Sequence, residues 1–114
     1  MAQYILLPYD SSEAFADLSA ADMQAIIQRY MVWTEKLAAM GSLLAGHKLQ
    51  DGEGRIMRGA GDDLTITDGP FTETKEVLGG LWIIEAEDYE AAVSLASDCP
   101  HLDYGTLAIR EIEH

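Results

Sequence analysis

Two segments of this chain carry apolar side chains on both faces of a strand, and this feature constrains the fold more than any other. Residues 3–9 (QYILLPY) and residues 77–85 (VLGGLWIIE) are apolar at odd and at even positions alike. Because successive strand side chains point to opposite faces, such a strand needs a cover on both sides of its sheet. We therefore predict two inner strands, with residues 77–85 at the centre of the sheet.

A long helix is predicted between these two strands. Ser19 is a candidate N-cap, and Asp22 places negative charge in the first turn, where the helix dipole favours it. Apolar residues then recur at helical spacing until Gly41, which suits the position after the last helical residue. The spacing predicts a helix over Ala20–Met40.

A second, shorter helix follows the central strand. Asp88 is its candidate N-cap, small residues form one side of it over Tyr89–Ser97, and Pro100 stops it. Short extended runs with Gly and Asp turns between them indicate hairpins. These further strands are predicted at Ser42–Leu49, Arg55–Arg58, Leu64–Asp68 and Gly105–Ile112.

The order of these elements is β, α, several β, α, β. Helices that separate strands of one sheet must return the chain to that sheet, so the order fits a ferredoxin-like βαββαβ arrangement with extra short strands. We predict one α+β domain over residues 1–114 with both helices on one face. The other face would leave an apolar patch in water, so we expect a face-to-face homodimer of the dimeric α/β-barrel type, with a ligand cavity between the sheets.

Charge and cysteine content exclude several classes of function. Seven Lys and Arg oppose twenty Asp and Glu, which gives a formal charge of −13. Such a field repels nucleic acid and anionic lipid, so neither is an expected partner. The first nine residues lack the layout of a signal peptide, and no apolar run approaches the ~20 residues of a membrane span. The single cysteine, Cys99, cannot form an internal disulfide, so we expect a cytoplasmic protein with a structural, half-buried thiol at a helix end.

Residues 67–80 (TDGPFTETKEVLGG) resemble the signature of the DGPF-domain group in the YCII-related family. The segment around Cys99–Gly105 and the opening strand with its Ser-initiated helix also resemble this group, so the resemblance covers essentially the whole chain. It implies a dimeric ferredoxin-like α+β barrel. It also implies relatives with small-molecule catalysis, including dehydrochlorination of an aromatic compound, and genes that accompany extracytoplasmic-function sigma factors.

The resemblance does not carry over a complete catalytic pair. YCII proteins proper are proposed to use a His–Asp pair with the His on the first helix. This sequence has no His between Ala20 and Met40. Similar dimers include muconolactone isomerases and heme-degrading monooxygenases, but a shared fold does not transfer an activity.

Asp68 is the first candidate for a catalytic base. It shares strand parity with Leu64 and Ile66, so it is expected to point to an apolar side, where its pKa would be raised. The alternative is that Asp68 shapes the turn before Gly69 by bonding nearby backbone amides. Pro70 and Phe71 are interpreted as structural anchors of the same loop.

Three further groups of residues are candidates for binding or catalysis. Lys75 can hold a carboxylate or an enolate oxygen, with Glu73 and Glu76 beside it, or these charges form a solvated face. His47 shares parity with apolar neighbours and can face a cavity or form part of the core. The remaining candidates are His101, Asp103 and Tyr104 as an oriented acid/base group, and His114 as a frayed terminus.

The leading hypothesis is a homodimer that binds a small organic molecule and catalyses cofactor-free isomerisation or elimination. Asp68 would be the base, His47 or His101 would assist, and Lys75, Glu73 and Tyr104 would bind the substrate. The rival is a non-catalytic interaction or sensor module beside a sigma factor, and a heme- or flavin-assisted oxygenase is a third, weaker option. No ligand spacing for a metal is present, and Gly79–Gly80 precedes a strand, where it predicts a bulge or a close backbone approach rather than a phosphate loop.

Overall fold

A computed structural model describes residues 1–11, 13–69 and 76–113, which form strands and helices in the predicted order. The α-helices are α1 (Ala20–Ala39) and α2 (Tyr89–Ala96), and short 3-10 turns cover Gly61–Asp63 and Pro100–Asp103. The strands are β1 (Ala2–Asp10), β2 (Leu43–Lys48), β3 (Arg55–Arg58), β4 (Thr65–Asp68), β5 (Val77–Leu78), β6 (Gly80–Ala86) and β7 (Thr106–Glu111).

The main sheet is antiparallel, and β1 lies inside it. One edge of β1 pairs with β6 and the other with β7, while β2 pairs with the far edge of β6. Tyr9 pairs with Leu78 of β5 and with Thr106 of β7, so β5 lies on the β6 edge and continues its line past Gly79. The ferredoxin-like α+β class is confirmed, and the described strands form an open sheet rather than a closed barrel.

The helix ends follow from the capping residues. The Ser19 side chain accepts a hydrogen bond from the Asp22 amide, and the Asp88 side chain accepts one from the Ala91 amide. Gly41 follows α1 with φ of 75°, a left-handed conformation that glycine adopts without strain. Both predicted N-caps and the predicted end of α1 are confirmed.

The hydrophobic core lies between the sheet and the two helices. Leu6 and Ile84 of the sheet and Leu37 of α1 are fully buried, and Trp33 packs edge-on against Trp82 with ring centroids 5.0 Å apart. The other members of this cluster are Tyr4, Ala86, Ala92, Ala96 and Cys99. One face of the sheet is thus closed by helices, as the sequence predicts.

The opposite face of the sheet, called here the open face, has no helix on it among the described elements. Pairing places Ile5 opposite Ile83 and Leu7 opposite Ala108 on this face, and all four are only half-buried. Both strands predicted to be apolar on two sides therefore have one covered and one open side. The second cover, which their pattern predicts, is not supplied within the described part of the chain.

A separate two-stranded sheet, β3 with β4, stands apart from the main sheet. Its pairs run from Arg55 opposite Asp68 to Arg58 opposite Thr65, and the Gly69 amide closes its base by donating to the Gly54 carbonyl at 3.0 Å. The predicted hairpin is therefore present, although it is not part of the main sheet. In the described part of the chain, no helix is long and apolar enough to cross a membrane.

Candidate functional site

The chain brings its signature segment back to the sheet at the end of β1. Asp10, the last residue of β1, pairs with Val77, and Tyr9 pairs with Leu78, both of which belong to the second half of residues 67–80. On the other edge of β1, Thr106 donates from Oγ1 to Oε2 of Glu76 at 3.3 Å. The end of β1, the end of the signature segment and the start of β7 thus meet at one place, called here the sheet end.

His101 is the buried polar group of the sheet end, with 3% of its surface exposed. The 3-10 turn Pro100–Asp103 directs its ring inward, where Nε2 lies 2.9 Å from the Tyr9 carbonyl oxygen and Nδ1 lies 2.9 Å from the Tyr30 hydroxyl. A carbonyl oxygen only accepts, so Nε2 carries a proton and donates it. In the neutral ring, Nδ1 then accepts from the Tyr30 hydroxyl, and one tautomer is fixed.

A glycine makes this approach of His101 to β1 possible. A Cβ atom on Gly105 would lie 2.0 Å from the Tyr9 carbonyl oxygen and 2.9 Å from Nε2 of His101. Both distances are far inside van der Waals contact, so only glycine fits there without a shift of the backbone. Gly105 therefore determines the geometry of the hydrogen bond between His101 and Tyr9.

Asp10 is a carboxylate of the sheet end whose pKa is raised. Its side chain is half-buried, and this burial raises its pKa above the ordinary 3.8, while electrostatic interactions with His101 and Lys48 act in the opposite direction. Burial also raises the pKa of Tyr30 well above its ordinary value, so Tyr30 keeps its hydroxyl proton at neutral pH. The arrangement can exchange a proton at Asp10 and hold a donor–acceptor chain from Tyr30 through His101 to the backbone.

Charged and aromatic residues form the rim beside this cluster. Arg29 of α1 donates to Asp103 at 2.6 Å and to the Tyr104 hydroxyl at 3.1 Å, and the Phe15 ring packs on Tyr104 with centroids 5.2 Å apart. An open groove of about 320 Å³ begins at Arg29 and runs along α1 to Lys36. These contacts tie α1 to the turn that carries His101.

Asp98, at the far end of that groove, and the adjacent Cys99 have structural roles. Lys36 and then Trp33 donate hydrogen bonds to the Asp98 carboxylate and hold its pKa below the ordinary value, although burial opposes them. Burial raises the pKa of the Cys99 thiol to about 11, so it remains protonated at neutral pH. With 3% of its surface exposed, Cys99 is more deeply buried than the half-buried position that the sequence predicted.

The expectation that Asp68 points to an apolar side is wrong. Its side chain is 91% exposed, and its charge lies 3.5 Å from Arg55 across the hairpin. The parity argument placed Asp68 with Ile66, and that face of the hairpin is itself uncovered, since Ile66 is 59% exposed. Shared parity in a strand therefore did not imply burial.

The other predicted catalytic residues lie on separate elements. His47 is exposed on the open face of β2, opposite Leu81, but the predicted face shared with Leu43 is wrong, because a register shift between Leu43 and Ala45 places Leu43 opposite Ile84 on the core side. His101 and Asp103 do not form the expected pair: the ring nitrogens of His101 contact Tyr30 and Tyr9, while Asp103 points outward to Arg29. The predicted residues Pro70, Phe71, Glu73, Lys75 and His114 lie outside the described residues.

Sequence reasoning missed Asp10, Tyr30 and Gly105. In the sequence, Asp10 is the first of several polar residues after the opening apolar run, and Tyr30 lies among the apolar positions of α1. Polar atoms on the buried side of a helix need partners, so the hydroxyl of Tyr30 was the signal that could have pointed to a polar contact.

The described residues hold no group of three His, Cys, Asp or Glu side chains placed for a metal ion.

A solved structure with a similar fold is that of 5-chloro-2-hydroxyhydroquinone dehydrochlorinase (TftG) from Burkholderia phenoliruptrix AC1100, in complex with 2,5-dihydroxybenzoquinone. The match has a TM-score of 0.52 and 16% sequence identity, and it covers 98% of this chain and 94% of that chain. At this identity the likeness shows the fold alone. A search of curated proteins found no match.

The family comparison agrees with the signature segment and with the fold. The family model for the YCII-related domain matches residues 2–114, which is nearly the whole chain. This chain therefore belongs to the YCII-related domain family.

Proposed function

We propose that this protein is a cytoplasmic homodimer that binds a small organic molecule and performs cofactor-free acid/base chemistry at the sheet end. The observation that carries the proposal is the half-buried Asp10 carboxylate, whose pKa is raised and which pairs with the end of the signature segment. A carboxylate with a raised pKa takes up and returns a proton more readily near neutral pH than an exposed one does. Isomerisation and elimination both need such a proton transfer.

Each residue of the sheet end has a distinct part in this proposal. Asp10 is the base that removes a proton from a carbon of the substrate. Tyr30 and His101 are positioning residues, because they fix the end of β1 through the Tyr9 carbonyl. Lys75 and Glu73 are proposed to contact the substrate, with Lys75 stabilising a developing oxyanion. Tyr104 and Arg29 would form the rim of the site.

Asp68 remains the alternative base. It begins the signature segment, whereas Asp10 pairs with its end, so both carboxylates flank the same stretch of chain. Asp68 is exposed in this chain, and a catalytic Asp68 would need a cover from a ligand or a second copy. His47 faces the open side of the sheet, and would assist only a ligand bound there.

The homodimer is supported by the open face. Leu7, Leu81 and Ile83 lie there without a covering layer in the described structure, beside Ile5 and Ala108. A second copy laid on this face would remove a contiguous apolar surface from water, which stabilises the dimer by roughly 25 cal/mol per Å² of that surface.

Leu81→Glu places a charge in the middle of that contact. Sedimentation velocity would show the dimer of the parent protein and a monomer for Leu81→Glu; a parent that is monomeric at all concentrations would contradict this part of the proposal.

A thermal-shift screen tests the ligand site. The compounds are lactones, small carboxylates, phenols and 2,5-dihydroxybenzoquinone, which the structural neighbour binds. A ligand present at ~100 times its dissociation constant adds about 2.7 kcal/mol of stability to the folded state. We expect at least one class to raise the melting temperature of the parent protein.

Three Asp→Asn variants locate the site, because each removes one negative charge. Asp10→Asn is expected to lose the ligand-induced shift, whereas Asp62→Asn, a control at an exposed position of the hairpin turn, keeps it. Loss of the shift in Asp68→Asn instead would make Asp68 the base. No shift from any compound class would contradict the proposal and favour a non-catalytic interaction module.

A further inference from the structure

We infer that the β3–β4 hairpin, residues 54–69, is an arm that packs against a second copy of this chain beside the open face. The inference rests on the homodimer of the proposed function and names a second element of its interface. It assigns a role to a part of the molecule that neither the core nor the sheet end uses. The partner is another molecule of the same chain rather than a different protein.

The arm shares no strand pairing with the main sheet among the described residues. β3 and β4 pair only with each other in the described sheet topology, and the bond from the Gly69 amide to the Gly54 carbonyl closes the arm's base. A lone two-stranded hairpin is marginally stable in water and needs a third strand or a packed face. An arm of this kind is therefore expected to gain its order from a surface that it contacts.

One face of the arm carries an uncovered apolar pair. Met57 and Ile66 are directly opposed in the ladder, so they share a face, and they are 62% and 59% exposed. Opposed side chains on an antiparallel pair stand close enough to form one contact surface. The ion pair of Arg55 and Asp68 lies next along the same face, so the arm offers a small apolar contact with a charged pair beside it.

The overall shape shows how far the described structure departs from a compact domain. Its radius of gyration is 16.2 Å, and its principal extents are 48, 42 and 18 Å. A compact chain of this length is expected to have a radius of gyration of about 13 Å. The molecule is therefore a thin slab with wide surfaces, consistent with one helical layer on one sheet and an arm at the side.

The area of the interface favours a second copy as the occupant. Four strands ~4.8 Å apart, with about six residues each at ~3.3 Å, give an open face of roughly 400 Å². A stable dimer buries about 800 Å² on each partner. One face of the arm adds roughly 130 Å², and in a symmetric dimer each copy also receives the partner's arm, which brings the total to about 660 Å². The sheet face alone is smaller than the area that a stable dimer buries on each partner, and the two arms supply much of the missing area.

Photo-crosslinking from the arm tests the contact without disturbing the fold. The full chain carries p-benzoylphenylalanine in place of Met57, and light and ¹⁵N-labelled molecules are mixed before irradiation. We expect crosslinked peptides of mixed isotope that join the arm to the edge strands β2 or β7 of the other copy. The same probe in place of Val93, which is 53% exposed on α2, is the control and should give no mixed crosslinks to those strands.

Sedimentation velocity measures how much the arm strengthens the dimer. The double variant Met57→Glu, Ile66→Glu is expected to raise the dissociation constant of the dimer at least tenfold, while Val93→Glu changes it less than twofold. Leu81→Glu distinguishes a failure of the proposed arm contact from a failure of the homodimer itself. Dissociation by Leu81→Glu, with crosslinks from position 57 only within one molecule, overturns the arm and leaves the homodimer in place. A parent protein that never dimerises overturns both.

Discussion

The two carboxylates that flank the signature segment have opposite surroundings. Asp10 ends an inner strand, is half-buried, and has a pKa raised by that burial. Asp68 ends a strand of the hairpin and is 91% exposed, with Arg55 3.5 Å away. Both lie next to the same stretch of sequence, so proximity to a motif does not decide the chemistry of a side chain. The strand that carries it, and what covers that strand, decide it.

The packing around the sheet end provides the sharpest test of this difference. Gly105→Ala is expected to lower the free energy of unfolding by about 2–3 kcal/mol, because its Cβ would overlap the Tyr9 carbonyl and displace Nε2 of His101. Gly79→Ala is the matched control, since a Cβ there meets only ordinary contacts at 3.7 Å or more and should cost less than about 0.5 kcal/mol. Urea unfolding followed by tryptophan fluorescence measures both. Equal costs would mean that the sheet end is not tightly constrained.

The hydrogen bond between Tyr30 and His101 gives the next largest effect. Tyr30→Phe leaves Nδ1 of a buried imidazole without its donor, so we expect a loss of about 1–2 kcal/mol in the free energy of unfolding. Tyr104→Phe removes a hydroxyl that contacts exposed Arg29, and should cost less than about 0.5 kcal/mol. Chemical denaturation at pH 7 compares the two variants. A Tyr30→Phe protein as stable as Tyr104→Phe would show that the buried contact has little energetic weight.

Replacing Asp10 and Asp98 by Asn should change the stability of the fold in opposite directions. The folded-state pKa of Asp10 is raised, so its ionisation destabilises the fold at neutral pH; Asp10→Asn should therefore increase stability at pH 7, and the increase should vanish below the ordinary value of 3.8. The pKa of Asp98 is lowered by Lys36 and Trp33, so its contribution is present above 3.8 and is lost as the pH falls. Asp98→Asn should therefore reduce stability at pH 7.

Melting temperatures of both variants and the parent between pH 3 and pH 8 test these signs. Both effects are expected to stay under about 1 kcal/mol, because the two side chains are partly exposed. A decrease in stability at pH 7 for Asp10→Asn would contradict a destabilising carboxylate at the sheet end. An unchanged melting temperature for Asp98→Asn would remove the contribution of its hydrogen bonds.

The smallest effect is expected at the hairpin. Asp68→Asn should change the free energy of unfolding by less than about 0.5 kcal/mol, because an exposed ion pair at 3.5 Å contributes little. Equilibrium unfolding in urea at low and at moderate salt provides the measurement. A loss above 1 kcal/mol that disappears in salt would show that Asp68 and Arg55 are coupled strongly, and the contrast with Asp10 would then be weaker.

Local chemistry was sufficient to predict the elements of the fold. Ser19 and Asp88 cap the two helices because their side-chain oxygens accept amide hydrogen bonds, and this depends on near neighbours in sequence. The close backbone approach at Gly80 likewise followed from glycine in a strand, since a Cβ there would lie 2.5 Å from the His47 carbonyl oxygen. The alternation of side chains along the inner strands predicted their two faces correctly, including the open face that no described element covers.

The candidate site depended on contacts that distant residues make. His101 meets Tyr30 and Tyr9, which are 71 and 92 positions away, and nothing in the spacing of residues 101–104 indicates that pairing. The parity of Asp68 was insufficient for a similar reason. It gives the face of the strand but not whether that face is covered, and within residues 1–11, 13–69 and 76–113 β4 pairs only with β3. Sequence patterns therefore predicted which residues form the framework, and tertiary contacts determined which of them form the site.

Chemical-shift mapping tests the location of the site most directly. A ¹H–¹⁵N spectrum of the labelled protein is recorded as a stabilising compound from the thermal-shift screen is added. The account predicts that the largest shifts fall on amides of the sheet end, at residues 9–10, 30, 76–78 and 101–106. Shifts confined to the hairpin, at residues 55–68, with the sheet end unchanged, would contradict it.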